Sequence, residues 1–249
     1  MEENTTRIFG LRAIIEAIDS GKEIEKVYLQ KELKGALASE LQHRIREHRI
    51  SFSYVPLEKL NKLSKFQNHQ GAVAKTSSVN FLELDEVLQK IAGSGKAGVF
   101  LLLDQVSDVR NLGAMLRTAE CTGVDAVILP TQGSAPINAD AVKTSAGAAF
   151  KLPLCKVNHI LDAIYQLQAA EVQIVAITEK TGTLVYDIDL TRSTALVLGS
   201  EHKGISGSVL KNADHKGKLP LMGSIDSLNV SVACGAVLYE LVRQRLASS

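Results

Sequence analysis

Gly98-Val99-Phe100-Leu101-Leu102-Leu103-Asp104-Gln105-Val106-Ser107-Asp108-Val109-Arg110-Asn111-Leu112-Gly113 decides the fold of this chain. An unbroken apolar run over 99–103 ends in a polar loop, and helical spacing through Met115 and Ala119 follows. A strand that is apolar at every position is covered on both faces, as in a parallel sheet. The same order recurs downstream, with strands predicted over 126–129, 151–157, 173–178 and 195–199. Helices are predicted over 139–146 and 160–170, and a long final one over 227–246. This alternation predicts a parallel sheet with helices on both faces, and it places ligands at the carboxyl ends of the strands.

Upstream the pattern changes. Ile8, Leu11, Ile14, Ile15 and Ile18 recur at three and four, predicting a helix over 8–18. A strand over 26–30, a helix over 33–48, a strand over 51–55 and a short strand at Val73 complete a small α/β unit. A helix over 84–91 then precedes Gly93-Ser94-Gly95-Lys96-Ala97-Gly98. We therefore expect a first domain over 1–76, a linker over 77–97 and a second domain over 98–249. The glycine run spells G-x-G-x-x-G, but it precedes a strand, whereas a dinucleotide loop follows one. It also lacks the Ser or Thr of a P-loop, since Ala97 follows Lys96.

With 45% hydrophobic and 22% charged residues in 249, the composition is that of a globular protein and excludes a disordered one. Apolar runs fall far short of the ~20 residues that span a bilayer, and no secretory pattern is visible at the start, so a cytoplasmic location is expected. Cys121, Cys155 and Cys234 are too far apart for a local metal or disulfide pattern and read as reduced, mostly buried thiols. His43, His48, His69 and His202 have no metal-ligand spacing, and no metal is expected. A net charge of +1 argues little for a polyanion partner, although residues 1–75 carry 13 Lys and Arg against 10 Asp and Glu.

Three stretches can carry chemistry. In the first, Asn111 suits a helix N-cap, Gly113 permits close approach of another backbone, and Arg117 follows one to two turns into the helix. Alone, these would be a cap and a solvated arginine. The second, Gly199-Ser200-Glu201-His202-Lys203-Gly204, ends a buried strand in a tight turn with exposed amides. Alone, it would be an ordinary strand-to-helix turn. The third runs Leu219-Pro220-Leu221-Met222-Gly223-Ser224-Ile225-Asp226-Ser227-Leu228-Asn229-Val230-Ser231-Val232-Ala233, with Ser227 the candidate N-cap. Asn, Ser and Val are mediocre helix formers, a conflict expected where a site dictates the residues.

Taken together, Asn111-x-Gly113-x-x-x-Arg117-Thr118-Ala119, Gly199-x-Glu201-x-x-Gly204 and Ser227-Leu228-Asn229-Val230-Ser231-Val232-Ala233 resemble, in order and separation, the three motifs of the SpoU family of RNA ribose 2'-O-methyltransferases. The resemblance covers about residues 98–246. Ile8-Phe9-Gly10 and His69-Gln70-Gly71 are similar to the substrate-binding domain of bacterial 23S rRNA guanosine 2'-O-methyltransferases.

The resemblance implies a SPOUT-type parallel sheet tied in a deep trefoil knot, preceded by a small α/β L30e-like substrate-binding domain. It implies S-adenosylmethionine as cofactor, held by Gly199, Leu219 and Leu228 largely through main chain, and a homodimer with the final helix at its interface. It makes Arg117 the central catalytic residue. A guanidinium stays protonated in proteins, so we expect Arg117 to bind the phosphate beside the target ribose and stabilise developing oxyanion charge rather than act as base. Asn111 and Glu201 would orient it and the substrate, and Ser227 and Asn229 would shape the loop between donor and acceptor. For the N-terminal unit, Arg7, Arg12, Arg44, Arg46 and Arg49 are candidates for RNA capture, against a solvated helix face for 44–49. The expected reaction is methylation of a guanosine ribose in large-subunit ribosomal RNA. A transfer RNA methyltransferase of the same family and a catalytically silent RNA-binding or assembly protein are the alternatives.

Overall fold

The computed structural model describes residues 7–19, 22, 24–76, 79–200 and 203–248. Glu201 and His202 lie outside the described residues. The chain separates into two compact units, one running to Asn80 with Ile137–Ala139, the other Phe81–Pro136 with the chain from Asp140 onward.

The first unit runs β1 (Arg7–Phe9), α1 (Leu11–Asp19), β2 (Ile24–Gln30), α2 (Ala36–Glu47), β3 (Phe52–Val55), α3 (Leu57–Leu63) and β4 (Ala72–Thr76). Its sheet has the order β1-β4-β2-β3, with β2 and β3 parallel and the other pairs antiparallel. Side chains alternate across a strand. Val27 and Leu29 of β2 therefore join the core under α1 and α2, and Tyr28 packs on the opposite side with Leu60 of α3.

Two expectations change here. Ile8 fits the helical stripe yet sits in β1 opposite Ala74, and the helix begins at Leu11; an apolar strand residue just ahead of a helix mimics its period. Helix α3 was not expected, because seven residues behind Pro56 bury only Leu60 and leave no stripe to read. The two short N-terminal stretches that carried the resemblance meet at one end of the sheet. Gly10 N donates to Ala72 O at 3.1 Å, and Leu11 N donates to Gln70 Oε1 at 3.3 Å. Buried His69 accepts from Gly71 N through Nδ1 at 3.0 Å and lies 2.9 Å from Asn61 Oδ1 through Nε2, which fixes the neutral Nε2-protonated tautomer.

The second unit contains α4 (Leu84–Ala92), β5 (Val99–Asp104), α5 (Val109–Cys121), β6 (Ala126–Pro130), α6 (Ala139–Thr144) and β7 (Leu154–Val157). It continues through α7 (Ile160–Ala169), β8 (Gln173–Ile177), β9 (Thr194–Gly199), α8 (Gly207–Asn212), β10 (His215–Gly217) and α9 (Val230–Ser248). All six strands are parallel, in the order β10-β8-β9-β5-β6-β7. Every residue of β5 is buried, as its unbroken apolar run requires. Phe100 and Leu102 share a core with α4, α7 and α8. Helices α5 and α9 pack against each other. Strand β10 was not foreseen, since His215-Lys216-Gly217 is a three-residue polar edge strand with no alternation to detect.

The final helix is tied down at its C-terminal end. Arg245 donates to the carbonyls of Ala97 at 2.6 Å, Arg192 at 2.8 Å, and Leu190 and Gly98 at 3.2 Å. Gln244 accepts from Leu190 N at 2.8 Å, donates to Ile188 O at 3.1 Å, and donates to Glu240 at 2.9 Å. Buried Glu240 also receives both arms of Arg243 at 2.8 Å, which holds its carboxyl below the usual range. Among the described residues no helix is long and apolar enough to cross a membrane, and no group of His, Cys, Asp and Glu could hold a metal ion.

Candidate active site

Two cavities open at the carboxyl ends of β5, β8, β9 and β10. The first, of about 350 Å³, lies where the second and third motifs meet and is lined among others by Leu198, Gly199, Ile205, Leu219, Ser227 and Leu228. Its size falls within the about 300–1,000 Å³ of small-ligand clefts. The second, of about 460 Å³, is lined by the β5–α5 loop, including Gln105, Ser107, Asp108 and Asn111. Ser200, Lys203 and Val230 belong to both.

Close backbone packing builds the first cavity. A Cβ on Gly199 would stand 2.1 Å from the Gly204 carbonyl carbon, so no side chain is possible there. Gly204 N donates to Ser200 O at 2.8 Å, closing the turn, and Lys203 N donates to Ser200 Oγ at 3.1 Å. Buried Asp104, opposite Gly199 in the β5–β9 register, accepts from Ser206 N at 2.7 Å and pins the far side of that turn. The result is a slot of mixed character, with Leu198, Ile205, Leu219 and Leu228 on its apolar part and Glu179, Lys180 and Asp226 among its polar lining.

Helix α5 is set by close packing too. A Cβ on Gly113 would meet Thr144 Cβ at 2.6 Å and Ala141 O at 3.0 Å, so the glycine lets α5 lie against α6. Two caps differ from expectation. Asp108, not Asn111, caps α5, accepting from Asn111 N at 2.8 Å. Asn229, not Ser227, caps α9: its Oδ1 accepts from Ser231 N at 2.9 Å, Ser231 Oγ at 2.6 Å and Val232 N at 3.3 Å. In both cases an adjacent acceptor reaches the helix amides with better geometry, and the displaced residue faces a cavity instead.

Of the sequence-selected residues, Gly199, Leu219, Leu228 and Ser227 line the first cavity and Asn111 the second. Asn229 bonds Asn111. Arg117 is exposed on α5 and lines neither cavity, and Glu201 lies outside the described residues. In the N-terminal unit, Arg7 donates to Leu63 O at 3.2 Å. Arg44 is ion-paired with Glu47 and Asp19, each at 3.1 Å, which raises its pKa, the Glu47 hydrogen bond most. Arg12, Arg46 and Arg49 are exposed. Sequence reasoning missed Thr178, Glu179 and Lys180, which line the first cavity just past β8, and the buried Asp104 staple. The rule that ligands sit beyond strand ends pointed at 178–180; nothing in the sequence pairs Asp104 with Ser206.

The SpoU rRNA methylase family matches residues 98–239, and the model for RNA 2'-O ribose methyltransferase substrate binding matches residues 7–82. A 23S rRNA (guanosine-2'-O-)-methyltransferase RlmB from Xylella fastidiosa is 33% identical over 98% of this chain and 99% of its own. YacO of Bacillus subtilis, a putative TrmH family tRNA/rRNA methyltransferase, is 28% identical over 98% of each. Among solved structures, the SpoU methyltransferase AviRb from Streptomyces viridochromogenes, in complex with the cofactor AdoMet, superposes with a TM-score of 0.61. It is 26% identical over 97% of this chain and 90% of that one. This chain belongs to the SpoU rRNA methylase family, and is an RNA ribose 2'-O-methyltransferase.

Proposed function

We propose that this protein methylates the ribose 2'-hydroxyl of a guanosine in 23S ribosomal RNA, acting in the cytoplasm, with S-adenosylmethionine as donor. The observation that carries the reading is the pair of cavities sharing one wall at the carboxyl ends of the parallel strands, the first built by the second and third motifs and the second by the loop of the first motif. The RlmB relatives and the separate N-terminal unit favour ribosomal over transfer RNA.

The residues present fit the donor. Gly199, Leu219 and Leu228 would hold it through main-chain groups and apolar contact, with Thr178 and Ser227 adding hydroxyls. Bound there, it supplies a methyl carbon activated by a sulfonium. The protein's own part is positioning. Asn111 and Asn229 fix the floor of the acceptor cavity, and Arg117 takes the phosphate beside the target ribose and stabilises charge on the attacking oxygen. Glu201 orients Arg117 and the substrate. The 218–229 segment is the threaded part of the knot that the family resemblance implies.

Arg117 reaches a cavity through a second copy of the chain. Val232, Tyr239 and Leu246 are exposed seven residues apart along α9. Met222 and Ile225, in the segment between β10 and α9, are exposed as well. An apolar area of this extent marks an interface, and a homodimer would bring the α5 of each copy to the other's site.

The test is transfer of radiolabel from S-adenosylmethionine to total RNA from cells lacking this protein, with nuclease mapping of the labelled nucleotide. Label on a 2'-O-methylguanosine of large-subunit RNA is expected. Label in transfer RNA would overturn the substrate assignment, and absence of donor binding would overturn the site.

A further inference from the structure

A second surface of the N-terminal unit, on the side of the sheet away from α1 and α2, bears on how RNA is held. Lys65 and Phe66, just past α3, are consecutive non-glycine residues in left-handed backbone, at φ 52° and 62°. Bulky residues rarely adopt it, and such strain concentrates where a side chain must be presented. Phe66 N donates to Asn61 O at 2.7 Å and Lys65 N to Lys62 O at 3.3 Å, locking the turn. The ring so presented is 79% exposed, with nothing in its own unit to cover it.

The charges around it are predominantly positive. Lys59 and Lys62, three apart on α3, are neighbours on its surface, and exposed Lys65 follows in the turn past its C-terminal end. None of them forms an ion pair among the described residues. Lys59 and Lys26 stand over the Tyr28 ring at 5.5 and 5.6 Å. The acids close in sequence are Glu58, exposed on α3, and Glu25 on β2, already engaged by Lys75 at 3.3 Å. Exposed Gln67 and Asn68 follow the ring.

We propose that Lys59, Lys62, Lys65 and Phe66 form a docking surface for single-stranded RNA. The lysines take successive phosphates, and the Phe66 ring stacks on an unpaired base. A row of cations alone would serve any polyanion; the rigidly offered ring selects a partner with exposed flat faces, which duplex RNA and acidic proteins lack. This surface rests on the reading of the protein as an RNA methyltransferase and is separate from the arginines of α1 and α2.

The test uses the full chain and a fluorescein-labelled single-stranded RNA oligonucleotide of mixed sequence, with its duplex as control. Phe66→Leu is expected to weaken single-strand binding about tenfold while Phe66→Tyr keeps it. Replacing Lys59, Lys62 and Lys65 together by Gln should lower the salt-dependence slope by about 2. Thermal melting and donor binding should not move. Wild-type affinity in Phe66→Leu, an unchanged slope, or equal losses on duplex would each overturn the proposal. Methyl transfer by the wild type with an unaltered RNA KM in these variants overturns this surface and leaves the enzymatic reading standing. A wild type with neither transfer nor RNA binding overturns both.

Discussion

Asn229 Nδ2 donates to Asn111 Oδ1 across 3.1 Å, joining positions 118 residues apart. The Asn229 carbonyl is already committed to the first turn of α9, so its amide can point in one direction only. One side chain thereby sets the start of α9 against the start of α5, and the third motif against the first.

Asn229→Ala removes a helix cap and this bond together and should cost about 1–2 kcal/mol. Asn111→Ala removes the bond but keeps the α9 cap and should cost about 0.5–1.5 kcal/mol. The double variant should lose less than the sum of the two, because the bond is counted twice. Urea denaturation of the four proteins measures this; strict additivity would mean that the bond does not form in solution.

Gly199→Ala forces open the turn between Ser200 and Gly204, since its methyl would overlap the Gly204 backbone. S-adenosylmethionine binding, followed by calorimetric titration, should fall below detection while cooperative thermal unfolding persists at a lower midpoint. Retained binding would remove this turn from the donor site.

Arg117→Ala should abolish turnover and leave donor binding intact. Mixing it with donor-deficient Gly199→Ala distinguishes a shared site from a private one. If Arg117 serves the other copy, each mixed dimer carries one complete site of two, and about a quarter of normal activity returns in an equal, randomly reassorted mixture. If each copy is self-sufficient, none returns.

The parallel sheet was legible because its central strands are covered on both faces and keep their polar residues, Asp104, Gln173 and Thr194, at their ends. The lining of the first cavity was legible for a related reason: Gly199 sits against the Gly204 backbone, and a forced choice leaves a mark in the sequence. Caps were less so, because Asp108 and Asn111, or Ser227 and Asn229, are chemically equivalent candidates and only geometry separates them. Helix α3 and strand β10 bury too little to impose a pattern. The exposure of Arg117 was invisible, since a polar residue in an amphipathic helix reads the same whether it faces a cavity or water.

The cysteines give a pH prediction. Burial pushes the Cys155 thiol up to about 11, helped by Glu83, and burial pushes Cys234 up to about 12; Cys121 is exposed. Raised values keep the two buried thiols protonated and unreactive, so at pH 8 the native protein should react with one equivalent of a thiol reagent and the denatured protein with three. Because the unfolded thiols ionise near about 8.5, their contribution to stability is complete below that pH and is lost as the pH rises through the folded values.

Arg245→Ala removes a donor from the carbonyls of Ala97, Gly98, Leu190 and Arg192, of which Gly98 keeps Thr194 N and Arg192 keeps Thr194 Oγ1. A loss of about 2–4 kcal/mol is expected in urea denaturation, with Arg245→Lys recovering part of it. Burial lowers the Arg245 pKa, with Asp125 opposing, yet a guanidinium remains charged at any pH the fold survives, so the defect should not vary between pH 6 and 9.

Ser200, Lys203 and Val230 form a party wall between two rooms. Whatever moves that wall on one side is felt on the other, and linkage makes the influence mutual: a donor that draws the turn inward alters acceptor affinity by the same factor by which the acceptor alters the donor's. Spent donor lacks the methyl but presses on the same wall. With donor and acceptor in these two cavities as proposed, release of the modified RNA and exchange of the cofactor would be coupled through one wall, each shifting the other's affinity by the same factor.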